Sequence, residues 1–286
     1  MSNLEQARRL LQALEPVAAA HWFAPDWREE MAAAGIDDYA PAYFCSRAAP
    51  LGPVPWQVVH GLFYNWNPAL VKMAVRWDVC APADAWAANL RGVNRALTRV
   101  LAAVDGAEIA KAAGMLREVA TGCPQEGRGL YASYAALPWP DAPVEALWQA
   151  ATALREFRGD THVAVLVSHG LGPVEALVLN AAWIGADLQR YAGTRMWSEE
   201  DLKETVVALQ DRAFLDASGA ITDGGGKFRE MIEMDTDRRA LAPVEMLGAA
   251  AEDVLAVLEP IGKAVLGTPK AVPSIIGKVG RPATAG

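Results

Sequence analysis

Positive charge is the first thing this chain lacks. Its 286 residues carry 26 Lys and Arg against 34 Asp and Glu, a formal net charge of −8. A surface of that sign disfavours nucleic acid as a partner unless a local patch reverses it. Cysteine is scarce as well: Cys45, Cys80 and Cys123 are scattered, odd in number and without a CxxC pair. That argues against a disulfide framework or a zinc site and fits a reducing cytoplasm. No run of about 18 uncharged apolar residues suggests a membrane span. The opening "MSNLEQARRLLQALEPVAAAHWF" sets charges among its apolar residues and so lacks a signal peptide's apolar core. Also missing are a G-x-G-x-x-G after a strand, a phosphate-cradling loop ending in Lys-Ser/Thr, H-E-x-x-H and G-x-S-x-G. No cofactor, no metal and no nucleophile-based chemistry is therefore expected.

What is present points to helices. Hydrophobic residues make up 52% and charged ones 21%, with Ala and Leu abundant and few β-branched runs. The chain also reads as doubled. "LGPV" occurs at Leu51–Val54 and at Leu171–Val174, and three further blocks follow in the same order. The last two are "PADAWAANLRGVNRAL" against "SEEDLKETVVALQDRAF", then "DGAEIAKAAGMLREV" against "SGAITDGGGKFREM". Pro82 and Ser198 act as helix start signals, each followed by acids in the first turn. The expected division is a first unit over 1–120, a linker over 121–141, a second unit over 142–260, and a basic Pro/Gly-containing tail over 261–286.

Within the second unit, Phe214–Asp216 and Ala220–Thr222 read as two brief strands around an Ala217–Gly219 turn, with Thr222 capping the next helix. Helix, hairpin, helix is a winged-helix order. The fold class predicted is mainly α: two tandem winged-helix-like units with short β-hairpin wings, forming a pseudo-twofold body. This stretch resembles the multiple-antibiotic-resistance type of winged-helix regulators. A closer resemblance is to a family of actinobacterial helix-turn-helix proteins. It rests on "RAAPLG" (Arg47–Gly52), "FYNWNP" (Phe63–Pro68), "RGDTHVAVL" (Arg158–Leu166) and the text around Met196–Gly224. The resemblance implies the fold, and a regulator as one possible role. "AITDGGG" departs from the family's wing and is expected to loosen the start of the following helix.

Charge argues against DNA binding by the second wing. The helix that would enter the groove, Ser198–Arg212, carries Glu199, Glu200, Asp201, Glu204 and Asp211 against Lys203 and Arg212. Phosphate affinity needs the opposite balance. In the first unit Arg91, Arg95 and Arg99 share a face at i+4 spacing, either a phosphate-facing stripe or a solvated helix face.

Ten tryptophans, six of them in the first unit, suggest a pocket for a flat or apolar ligand, with plain core packing as the alternative. The candidate ligand-binding residues are Arg47, His60, Phe63, Tyr64, Asn65, Trp66, Trp77, Arg158, His162, Asn180 and Trp183. Asp160 and His162 are candidates for a catalytic acid–base pair, and Arg158 for a clamp on a ligand carboxylate or phenolate. The expected function is binding of a hydrophobic or aromatic small molecule in a cleft between the units, to sense, carry or sequester it. A ligand-responsive DNA-binding regulator and a cofactor-independent enzyme using the same pocket are the alternatives. A membrane partner is not expected, and a homodimer is left open.

Overall fold

The computed structural model describes residues 2–283, and helices dominate them. Local signals set many helix starts. Ser2 caps α1 (Asn3–Ala19), Asn67 caps α5 (Pro68–Ala74) and Asp105 caps α7 (Gly106–Gly122), each side chain accepting from a backbone N–H of the first turn. Proline stands in the first turn of α2 (Pro25–Ala33), α6 (Pro82–Val100) and α9 (Pro143–Ser168), where its missing N–H costs nothing. α3 (Tyr39–Ala48), α4 (Trp56–Phe63) and α8 (Gly129–Ala135) complete this part of the chain. α10 (Pro173–Trp183), α11 (Leu188–Gly193), α12 (Glu199–Asp211) and α13 (Asp223–Arg239) follow, then α14 (Ala242–Leu247) and α15 (Ala251–Gly267). No single helix among the described residues is long and apolar enough to cross a membrane.

Two clusters of buried apolar side chains form. The larger takes residues from 7 to 157 and again from 240 to 271; the smaller runs from 165 to 232. In the larger, α1 packs against both α15 and α9, α7 lies along α9, and α2 along α6. The α2–α6 approach is close because Gly92 faces Trp27, and a Cβ there would sit 2.7 Å from the Trp27 backbone. Residues 121–141 contain α8, which buries Leu130, Tyr131 and Tyr134. The matched blocks share a helix order, α4 to α7 against α10 to α13, but not packing partners: α6 lies on α2 and α3, whereas α12 lies on α10.

The tryptophan richness belongs mainly to the larger core. Trp27 and Trp148 are sealed, and Trp22 nearly so, around a buried His21. Trp27 donates to Asn89 Oδ1 at 2.8 Å. Trp148 Nε1 lies 3.2 Å from both the Ala18 carbonyl oxygen and His21 Nδ1. Burial drives the His21 pKa down to about 3.

The expected β-hairpin wings are absent: among the described residues there is no strand, only one isolated antiparallel bridge, Leu215 to Ile221. The tandem winged-helix, pseudo-twofold reading is therefore corrected to a mainly α fold. The reason is local. Asp216 folds the segment on itself, its Oδ1 accepting from the Ser218 and Ala220 backbone N–H groups and the Ser218 hydroxyl. Little length remains for a ladder, and Thr222 then caps α13 by accepting from Gly225 N. Nor does "DGGG" loosen that helix. A Cβ on Gly225 would lie 2.1 Å from the Phe214 carbonyl oxygen, so the glycine lets the turn lie flat on the helix.

Gly225→Ala should therefore destabilise the protein by about 1–3 kcal/mol through overpacking, despite alanine's better helix propensity. Thermal unfolding reads this directly, and an unchanged midpoint would contradict the close approach.

Candidate ligand-binding cavity

α9 is long enough, at 26 residues, to run from the larger cluster into the smaller. Between its two apolar stretches it carries Arg155, Glu156, Arg158 and His162, and these line a cavity of about 330 Å³. That is within the range of small-molecule sites. α3, the loop after α4, α10, α11, α13 and residues 275–280 supply the other walls.

Burying charge on α9 requires partners. Glu156, only 1% exposed, is clamped through both oxygens by Arg47, at 2.9 and 2.7 Å, and held by Arg155 Nη1 at 2.9 Å. Arg155 also reaches Glu15 at 2.8 Å. Burial alone would push the Glu156 carboxyl up, but Arg47 and Arg155 outweigh it and hold the pKa low. A second network lies on the other side. Glu233 receives Arg158 on one oxygen and Arg229 on the other, and Asp237 receives Arg158 and Arg8. Burial opposes ionisation of Glu233, but Arg158 and Arg229 bring its pKa well below the usual range.

Aromatic groups line the cavity as well, the Phe63 ring centre lying 4.1 Å from the Arg47 guanidinium. The "FYNWNP" loop turns sharply at Tyr64, whose φ of +57° is uncommon for a residue with a side chain. The loop is pinned from outside: the Tyr64 hydroxyl donates to the Leu171 carbonyl, Trp197 Nε1 donates to Asn65 O at 3.0 Å, and Asn67 N donates to Arg195 O at 3.1 Å. Trp66 lines the cavity, with the Arg195 guanidinium 4.8 Å from its ring centre.

Eight of the sequence candidates meet at this cavity: Arg47, Phe63, Tyr64, Asn65, Trp66, Arg158, His162 and Asn180. His60, Trp77 and Trp183 are not on its wall. His60 lies beside Trp56, Trp77 donates to the Val54 carbonyl, and Trp183 lies buried beneath Arg229. Asp160 and His162 are not brought together as an acid–base pair. Asp160 Oδ2 accepts from the Leu130 and Tyr131 backbone N–H groups at the start of α8, both at 2.9 Å. Its pKa is raised to about 6, chiefly by burial. His162 Nδ1 instead meets Thr236 Oγ1 at 2.9 Å. Because that hydroxyl donates to the Ile232 carbonyl, the imidazole donates from Nδ1 and keeps Nε2 as an acceptor. Arg158 is not a free clamp, since Glu233 and Asp237 occupy it. Sequence reasoning passed over Arg195 and Arg229; the i,i+4 spacing of Arg229 and Glu233 was the one available hint.

The Arg91, Arg95 and Arg99 stripe is also taken up. Arg91 pairs with Glu30, Arg95 with Glu29 and Glu30, and Arg99 with Asp26, all on α2. Among the described residues no group of three or more His, Cys, Asp or Glu could hold a metal ion.

Glu156→Ala would leave Arg47 and Arg155 buried beside a missing charge, so unfolding by denaturant should show a loss of about 3–5 kcal/mol. A loss below about 1 kcal/mol would contradict the clamp. His162 gives a pH signature. Burial depresses its pKa to about 3 from an ordinary 6.5. The unfolded chain therefore binds a proton that the folded chain refuses, and stability falls as pH drops through that window. The slope from this one group approaches about 1.4 kcal/mol per pH unit. Unfolding of the wild type and His162→Gln between about pH 6 and 4 should differ by that slope; parallel curves would place the imidazole in water.

No curated protein and no solved structure matches this chain. A helix-turn-helix family model matches residues 7–273, and the chain belongs to that family.

Proposed function

We propose that this helix-turn-helix family member binds an apolar or aromatic small molecule in the cavity beside α9, to sense, carry or sequester it. The observation that carries the reading is the cavity itself: about 330 Å³, walled by Phe63, Trp66, Tyr191 and Leu177, with polar groups held at fixed points by ion pairs. Rigid aromatic walls with a few oriented polar atoms are what a small-molecule site needs. Filling the space tests it. Ala176→Trp places an indole in the cavity wall, so the variant should fold yet lose saturable binding of aromatic compounds measured by calorimetry. If no compound in a broad hydrophobic aromatic panel binds the wild type, the reading fails.

A DNA-binding regulator is the second reading, favoured by membership of the family. Electrostatics weigh against the face presented by α12. Its five acids are exposed or half-buried, while Lys203 pairs with Glu199 and Arg212 with Glu175. The protein is expected to leave duplex DNA unretarded on a gel at about 50 mM salt, and a salt-sensitive shift there would favour the regulator.

A further inference from the structure

We infer that the cavity's ligand carries an anionic oxygen group, a carboxylate on an aromatic ring, received between Arg229 and Arg195. The inference rests on the cavity being a ligand site and adds which end of the ligand the protein reads. Two donor atoms carry it. Arg229 is 5% exposed; its Nη2 donates to Asn180 Oδ1 at 2.9 Å and contacts Glu233 Oε1 at 2.6 Å. Its Nη1 is sealed from water and has no hydrogen-bond partner. Arg195 repeats the pattern at Nε, which is sealed and unpartnered, while Nη1 is used on Tyr191 O and Thr194 Oγ1. No carboxylate pairs with Arg195 among the described residues. A buried guanidinium N–H without an acceptor is costly enough that native structures seldom leave one.

The two arginines are linked through one short chain of contacts. Asn180 accepts from Arg229 and donates to the Tyr191 hydroxyl at 2.9 Å, and the Tyr191 ring lies 5.1 Å from the Arg195 guanidinium. The Tyr191 hydroxyl, accepting there, keeps its own hydrogen to donate. On its other side Arg195 lies against Trp66, so a flat ring beside that indole would bring a substituent toward both sealed N–H groups. Lys278 reaches the same cavity and bonds the Ile184 carbonyl at 3.2 Å, leaving two ammonium hydrogens.

The acids facing the site do not cancel this. The lining has six cationic side chains, Arg47, Arg155, Arg158, Arg195, Arg229 and Lys278, to three carboxylates. Each of those carboxylates already pairs with arginine: Glu15 with Arg155, Glu156 with Arg47 and Arg155, Glu233 with Arg158 and Arg229. A planar guanidinium pairs well with the two oxygens of a carboxylate, and both arginines line the cavity with an N–H that lacks an acceptor.

The test is a matched pair on the full-length chain. Calorimetry with 1-naphthoate and 1-naphthamide separates the anion from the ring. The expected result is saturable naphthoate binding at least roughly tenfold tighter than the amide, with that preference lost in Arg195→Gln and in Arg229→Gln. Arg195 is half-exposed and its variant should melt like the wild type, which keeps the test readable if Arg229→Gln unfolds. Equal binding of both compounds, unchanged in Arg195→Gln, overturns the anion site while leaving the cavity as a ligand site. Binding of neither overturns the anion site, while the broad aromatic panel decides the cavity separately.

Discussion

Glu156 is a carboxylate that water scarcely reaches, held by two guanidiniums from α3 and from its own helix. The layout of the cavity depends on that neutralisation. α9 has to be polar in its middle because it passes from one apolar cluster to the other, and the space between them is not filled by side chains. A charged stretch in such a place survives only if each charge finds a partner of opposite sign. Glu15 on α1, Glu156 on α9 itself, and Glu233 and Asp237 on α13 supply those partners. The networks also fix where the polar atoms stand, which is the precondition for reading a ligand's shape and charge.

The same pairing logic explains where the protein's cations go. Arg91, Arg95 and Arg99 form an even stripe on α6, yet acids on α2 meet all three. On α12 the acids outnumber the one base, Lys203, and both it and the capping Arg212 are themselves paired. Membership of a helix-turn-helix family therefore coexists with faces poorly suited to phosphates. Two arginine N–H groups without acceptors, on Arg229 and Arg195, lie at the cavity instead.

Helix-forming text was largely readable. Pro82 begins α6, Ser198 caps α12 and Thr222 caps α13, because caps act through hydrogen bonds spanning two or three residues. The aromatic "FYNWNP" loop and the polar middle of α9 also stood out, and eight candidates drawn largely from these stretches line one cavity. What failed was the step from pattern to partner. Phe214–Thr222 looks like a hairpin, but Asp216 ends it after one bridge. Arg158, Asp160 and His162 look like one catalytic cluster, yet their partners lie on α13 and α8. The tryptophans look like a pocket, but most pack with other core side chains.

The sequence by itself determined the helical class, the caps and the acidic face of α12. Those properties depend on composition or on neighbours within about one helical turn. Only the tertiary structure decided which charges are spent and which are left. Arg47 meets Glu156 across 109 positions and Arg155 meets Glu15 across 140, so no local window contains both members of either pair. An N–H without an acceptor on each of Arg229 and Arg195 remains beside the cavity once these long-range pairs are made.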